Sequence, residues 1–303
     1  MRVLVVGLGG AGRRHLSLLR ERGDVEAAAL SASAAATEGV LGSRDEAAAW
    51  RPDAVVVANV TADHAATALW ALGLGAHVLV EKPLAATAQD AARVAEAAAA
   101  AGLRAAVGYN LRFHPALEAV RAAVAHGRVG RLLSVRAEVG FHLDLWRSAS
   151  GYAGRAAAGG GALLTLSHEL DYVSWIAGPV ERAVGLRARA GTVTEDADDL
   201  AELLCTHRDG VLSSVHMDLL DRTYNRRSRW VGSDASIEWR WHGPAELLAG
   251  HDAETLWEDA SFDLEETYRV QLADFLDACA GGREPRCPAA ESVALLDAVE
   301  AVA

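Results

Sequence analysis

An apolar run, Val3 to Val6, stops at Gly7-Leu8-Gly9-Gly10-Ala11-Gly12 and passes directly into a helical pattern beginning Arg13-Arg14-His15-Leu16. A strand that enters a helix through glycines at this spacing has few folds open to it. The first glycine permits a tight turn, the second lets a pyrophosphate approach the backbone, and the third lets helix pack on strand, leaving the phosphates at the helix N-terminus. Alone, such a turn is equally well a plain Gly-rich connection. Beyond it, however, the short apolar runs Val25 to Leu30, Ala54 to Ala58, His77 to Val80 and Leu103 to Val107 alternate with longer Ala-rich stretches at helical spacing. Continuous apolar runs suit strands covered on both faces, and strands alternating with helices point to repeated βαβ units around a parallel sheet. A helix is expected over Ala88 to Ala101, with Thr87 as N-cap, Asp90 in its first turn and Gly102 just past its end, and another after Pro115.

Near residue 128 the texture changes. Leu133, Val135, Ala137 and Val139 alternate with polar residues, and Leu200 to His207 turns at Asp209-Gly210 into Val211 to Met217, the pattern of largely antiparallel sheet. Tyr268 to Ala280 and Ala289 to Val302 read as closing helices on either side of Gly281-Gly282. The expected architecture is therefore a Rossmann-type, doubly wound α/β domain over residues 1–122. An α+β domain on an open, largely antiparallel sheet follows over 123–303. A chain of 303 residues, 51% hydrophobic and 23% charged, is long enough for two such cores. Its net charge of -12 offers no basic footprint for nucleic acid or anionic membranes. The run at Val3 to Val6 is too short to span a bilayer and lacks a cleavage region, and Cys205, Cys279 and Cys287 form no Cys-x-x-Cys pair. A cytoplasmic protein is expected.

The chain contains one lysine, Lys82, among 29 basic residues. It stands in Glu81-Lys82-Pro83, at the end of the apolar run His77 to Val80. Arginine serves everywhere else, and a guanidinium cannot give up its proton at working pH. An ammonium can, so position 82 reads as a compact donor or tunable acid beside a reacting oxygen. Four motifs then fall in order: GLGGAGRRHL from Gly7, VVVANVTADH at 55–64, HVLVEKPLA at 77–85 and GYNLRFHP at 108–115. Together they resemble the glucose-fructose oxidoreductase and inositol dehydrogenase family, written Gfo/Idh/MocA. The resemblance implies an NAD(P)-dependent oxidoreductase in which cofactor and substrate, commonly a sugar or cyclitol, meet in the cleft between a Rossmann domain and an open-faced sheet domain. It also implies that Lys82 faces the substrate oxygen that changes between alcohol and carbonyl, while Glu81 and Pro83 shape the turn and contact the cofactor. Asn59, Thr61 and His64 would line the nicotinamide-ribose side, and Asn110 and Arg112 the cleft. Where an acid would bind the ribose 2'-hydroxyl of NAD, the chain has Ser31-Ala32-Ser33, with Arg13 nearby. Hydroxyls and an arginine favour the extra phosphate of NADP.

In the second domain, Gly159-Gly160-Gly161 leads to Leu164-Thr165-Leu166-Ser167-His168-Glu169-Leu170-Asp171, which resembles the family's entry to its catalytic helix. His168 is the candidate acid/base, an imidazole being suited to take or return the hydroxyl proton. Many members of the family carry an aspartate four residues earlier. Here that position is Leu164, so Asp171, on roughly the same helical face, or Thr165 is left to support the imidazole. Asp144, Trp146, Arg147, Tyr152 and Arg155 lie in a Gly-flanked segment before the triple glycine, and two arginines there would suit an anionic substrate group, although solvated loop charges are commoner. No histidine pattern has metal-ligand spacing. Trp230, Trp239 and Trp241, at strand spacing, are expected to fill a sheet face or a subunit contact, and an exposed apolar sheet favours a homo-oligomer, a dimer or tetramer. Two other readings stand beside the sugar or cyclitol dehydrogenase. One is a reductase of a non-sugar carbonyl, imine or conjugated double bond with Lys82 as sole proton donor. The other is a cofactor-binding regulatory protein without turnover.

Overall fold

The computed structural model of the chain describes residues 1–31, 39–146 and 151–302. Ala32, Ser33 and Arg147, singled out above, and the Trp146 side chain lie outside the described residues. The chain forms two compact units, one made of Met1–Tyr109 with Tyr268–Val293, the other of Asn110–Thr267 with the residues from Ala294 onward. The boundary expected at residue 122 falls inside the helix Pro115–Ala125.

In the first unit β1 (Arg2–Val6), β2 (Glu26–Leu30), β3 (Val40–Leu41), β4 (Ala54–Val57), β5 (His77–Val80) and β6 (Ala105–Val107) form one sheet in the order β3-β2-β1-β4-β5-β6. Every pairing in it is parallel. Val3, Leu4, Val5, Val55, Val56 and Val57 are fully buried, as the uninterrupted apolar runs require of strands covered on both sides. β6 starts later than the expected Leu103. The Leu103 N–H is spent on Ala98 O at 2.9 Å, closing the preceding helix, and the Arg104 N–H on His77 Nδ1 at 2.8 Å. The helix Ala88–Ala101 is capped as expected, with Thr87 Oγ1 accepting from Asp90 N at 3.1 Å and Gly102 left-handed at φ 66°. Late in the chain, the helix Glu265–Gly281 sends Leu272, Phe275 and Leu276 into the core of Val3, Val5 and Leu79. The unit's core is thus completed by a segment far away in sequence.

The second unit carries an eight-stranded sheet ordered β14-β13-β12-β11-β7-β10-β9-β8. Its strands are β7 (Leu132–Gly140), β8 (Val180–Ala188), β9 (Leu200–His207), β10 (Leu212–Asp218), β11 (Asn225–Gly232), β12 (Ser236–Arg240), β13 (Ala245–Ala249) and β14 (Asp252–Trp257). Only the central β7·β10 pair is parallel. One face is apolar: Ala201, Leu203 and Cys205 of β9 alternate inward and pack with Leu163, Leu166 and Leu170. Trp230 and Trp239 are fully buried with Tyr172 in a second cluster. The other face leaves Val184, Leu186, Leu204 and Leu212 exposed, Leu186 to 75%. Cys205, Cys279 and Cys287 are not joined in disulfides.

His114 shows how this core couples stability to pH. Its Nδ1 accepts from Ala116 N at 3.2 Å, capping the helix Pro115–Ala125, and its ring lies between the rings of Trp239, Trp241, Trp257 and Phe262 at centroid distances of 4.8 to 5.5 Å. Burial, with the Arg226 charge acting in the same direction, pushes its pKa down to about 4. The unfolded chain therefore takes up this proton first. The contribution of His114 is complete above about pH 6.5 and is lost as pH falls towards 4, on the order of 3 kcal/mol for this one group. Urea midpoints at pH 7.5 and 4.5 should differ accordingly, and His114→Asn, which keeps a capping oxygen but does not titrate, should narrow that difference. An unchanged difference in the variant would refute the assignment.

Candidate active site

In the first unit the candidate residues gather at the C-terminal ends of β1, β4 and β5, where the strand order reverses direction from β1 and ligands of doubly wound sheets bind. β1 runs into Gly7, whose φ of 95° is in the left-handed region and whose N–H donates to Leu30 O at 3.0 Å. A Cβ on Gly7 would lie 2.7 Å from Ala58 O and Asn59 N, and one on Gly12 would lie 1.9 Å from Gly7 O. These two glycines are demanded by the protein itself. Gly9, with φ -68° as N-cap of the helix Gly10–Glu21, and Gly10 are different: a Cβ on either meets nothing within 4 Å. Neither backbone conformation nor packing explains the glycine at position 9, whereas a phosphate resting on the helix N-terminus does. Gly7 to Gly12, with Leu8 packed on the core and Ala11 in the helix's first turn, are therefore a fitting cradle for a dinucleotide. Arg13 is exposed on that helix, and Ser31 closes β2, its N–H 3.4 Å from Leu41 O.

Two residues past β4 stands Asn59, whose Nδ2 donates to Thr67 Oγ1 at 2.9 Å, while its buried Oδ1 has no partner among the described residues. Thr61, 3% exposed, begins a short 3-10 turn ahead of the helix His64–Gly73. His64 is buried, with Nδ1 2.8 Å from Pro83 O and Nε2 3.2 Å from Asn59 O. Burial lowers its pKa, so the neutral ring has one proton for two carbonyls, and the nearer one, Pro83 O, takes it. β5 delivers Glu81-Lys82-Pro83, with a cis Lys82-Pro83 bond. Glu81 Oε1 accepts from Nε2 of the fully buried His15 at 2.7 Å. Burial alone would raise the Glu81 carboxyl, but the His15 hydrogen bond, aided by the Lys82 charge, holds it below the usual carboxylate range.

In the second unit His168 is the first residue of the helix His168–Ala177 and is 9% exposed. Each glycine before it answers to the fold. Gly159 and Gly161 have φ of 73° and 103°, and a Cβ on Gly160 would lie 2.2 Å from Tyr152 O. Asp198 Oδ2 accepts from Leu163 N at 3.0 Å, holding the short helix Ala162–Thr165 in which Thr165 is buried. Asp171, expected to support His168, forms a buried ion pair with Arg112. Arg112 Nε and Nη2 grip its carboxylate at 3.0 and 2.7 Å, with side-chain exposures of 4% and 1%. Arg112, expected at the substrate, thus has a bidentate internal partner. Asn110 is likewise buried, donating from Nδ2 to Thr267 Oγ1 at 2.7 Å. Tyr152 is half-buried against the core beneath the sheet, Arg155 is exposed, and Trp146 closes the short helix Leu143–Trp146.

Sequence reading missed a second buried ion pair beside His168: Glu169 Oε1 accepts from Arg226 Nε at 2.8 Å, with exposures of 0% and 8%. Burial works against the Arg226 charge, but Glu169 overcomes it and raises the guanidinium pKa. The signal was there. On β11, Arg226 shares the inward face with Ser228 and Trp230, and an arginine in register with core residues calls for a buried acid. His15 was similarly legible as a histidine on the same buried helix face as Gly12, Leu18 and Leu19.

Residues 1–109 match the family model described as "Oxidoreductase family, NAD-binding Rossmann fold", and residues 117–238 match the "GFO/IDH/MocA C-terminal domain". The chain is 29% identical over 317 residues to the rhizopine catabolism protein MocA of Rhizobium meliloti, covering 99% of this chain and 93% of that one. It is 28% identical over 309 residues to inositol 2-dehydrogenase 2 of Saccharopolyspora erythraea, covering 93% and 86%. In fold it is similar to levoglucosan dehydrogenase solved with NADH and levoglucosan, with a TM-score of 0.89 at 19% identity over 100% of this chain and 96% of that one. With both halves matched in order, and the glycine cradle and the Lys82 turn at the C-terminal ends of β1 and β5 in one sheet, the chain belongs to the Gfo/Idh/MocA family of nicotinamide-dependent oxidoreductases.

Proposed function

We propose that this protein interconverts a secondary alcohol and a ketone on a sugar, sugar derivative or cyclitol. The observation that carries this reading is the chain's one lysine at the end of β5, on the same sheet edge as a cradle whose Gly9 no protein contact explains. When bound, the nicotinamide supplies or accepts the hydride. The Lys82 ammonium stabilises negative charge building on the substrate oxygen. His168 takes the hydroxyl proton in the oxidative direction and returns it in the reverse. The inositol dehydrogenase supports a cyclitol substrate. Ser31 and Arg13 support NADP over NAD. The exposed Val184, Leu186, Leu204 and Leu212 support a homo-oligomer, and cysteines not joined in disulfides a reducing cytoplasm.

A specific observation favours a second reading. Leu164 stands where the family's aspartate is usual, and the Asp171 carboxylate also serves the buried Arg112 guanidinium, which supports proton donation by Lys82 alone to a carbonyl, imine or conjugated double bond. Reduced-nicotinamide absorbance, with either cofactor and a panel of sugars, cyclitols and sugar phosphates, tests both readings. Turnover that needs Lys82 and falls about 10²-fold or more in His168→Ala supports the dehydrogenase. Turnover that survives His168→Ala supports the Lys82-only reductase. Cofactor binding with silence across both alcohol and carbonyl panels would count against either.

A further inference from the structure

Lys82 is the one side chain in this chain whose ammonium no neighbour duplicates, and it sits on a flexible four-carbon stem. Its backbone, by contrast, is tied down from both sides by histidines, neither of which is given a proton-transfer step above. On the N-terminal side, His15 Nε2 holds the Glu81 carboxylate at 2.7 Å, and the other carboxylate oxygen lies 3.3 Å from the Lys82 N–H. A Cβ on Gly108 would come within 3.1 Å of Glu81 Cα and Oε2, so that side is closed as well. On the C-terminal side, His64 Nδ1 holds Pro83 O at 2.8 Å, while the ring's far edge lies against Asn59 O just past β4. Both rings are 2% exposed or less. The His15 ring is braced edge-on by Tyr268, at a centroid distance of 5.8 Å.

We propose that His15 and His64 are positioning residues for Lys82, acting through the Glu81 carboxylate and the Pro83 carbonyl. The inference rests on the reading of Lys82 as the residue facing the reacting oxygen. Stability alone does not account for the arrangement, because a buried polar pair is commonly matched or bettered by apolar side chains of the same volume. What the pair adds is a fixed direction. A carboxylate and a carbonyl gripped by aromatic donors on separate helices leave the Lys82 backbone one location, and a misplacement of about 1 Å costs about 10²-fold in rate.

The two histidines use different ring nitrogens, which gives the test its fingerprint. A glutamine amide nitrogen falls near Nε2 of the histidine it replaces, and an asparagine amide nitrogen near Nδ1. His15→Gln should therefore recover most of the turnover lost in His15→Phe, and His15→Asn should not. At position 64 the order reverses, with His64→Asn recovering and His64→Gln failing. The Phe variants should lower kcat by about tenfold or more, with the cofactor Kd of His15→Phe within about threefold of wild type. Because there is one lysine, protein grown on lysine enriched in carbon-13 at Cε gives one Cε resonance. That resonance should move in His15→Phe and His64→Phe and return in His15→Gln and His64→Asn, without any substrate present. Gln and Asn variants that behave alike at both positions, or a resonance and kcat unmoved in the Phe variants, would overturn the proposal. A resonance that follows the predicted order in a protein that turns over no alcohol or carbonyl would uphold the positioning role and sink the functional reading above.

Discussion

Lys82→Ala is expected to lower kcat by about 10²- to 10⁴-fold while leaving the fold and cofactor affinity nearly intact. Lys82 follows β5 and is half-buried, and the backbone contacts that shape its turn run through Glu81 and Pro83, not through its ammonium. On the reading of Lys82 proposed above, removing the ammonium takes away the charge that faces the substrate oxygen while the turn's backbone contacts stay in place. Lys82→Arg is the sharper test. It keeps the positive charge but spreads it over a planar fork that is longer and cannot release a proton at working pH. If compactness and proton handling matter, Lys82→Arg will be nearly as poor as Lys82→Ala, with kcat reduced more than KM is raised. Steady-state kinetics beside a fluorescence titration of the cofactor separate these quantities. Turnover within about threefold of wild type in Lys82→Arg would mean that the lone lysine is an accident of composition.

The second large effect divides the glycines of one turn. Gly12→Ala puts a Cβ 1.9 Å from Gly7 O, a contact that only a shift of the helix Gly10–Glu21 away from β1 can relieve. Such a shift opens the packing of Leu16 and Leu19 on Val3 and Val5. A loss of more than about 3 kcal/mol is expected, enough to lower the melting temperature by about 10 °C or to prevent folding. Gly9→Val has no such consequence, since its φ suits any residue and its Cβ meets no protein atom within 4 Å. It should melt close to wild type yet bind NAD or NADP at least about 10²-fold more weakly, because its side chain stands where the phosphates approach. Melting curves and cofactor titrations of the two variants give the answer directly. A Gly12→Ala protein that melts like wild type would show that the helix is not tied to the strand there. A Gly9→Val protein that loses fold and binding together would show that the second glycine, too, is structural.

The sequence by itself determined the features whose causes lie within a few neighbouring residues. The parallel strands were legible because an uninterrupted apolar run has no polar face to leave exposed. The Thr87-capped helix was legible because its stop signals sit at both ends, and the glycine turn because only its backbone freedom suits a sharp strand-to-helix passage. Lys82 stood out by composition, and its place at a strand end followed from the run before it. Tertiary structure alone decided which charged groups are partners. Arg112 and Asp171 are 59 residues apart, Glu169 and Arg226 57, and His15 and Glu81 66. Nothing local to either member of these pairs names the other. The same holds for the helix Glu265–Gly281, whose apolar face is completed only when it returns to the core of β1 and β5. The physical reason is one of range. Backbone conformation is set by sterics and hydrogen bonds over one or two turns, so it is written locally. The cost of burying a charge is met by whichever opposite charge the finished fold brings within 3 Å, as Arg112 does for Asp171.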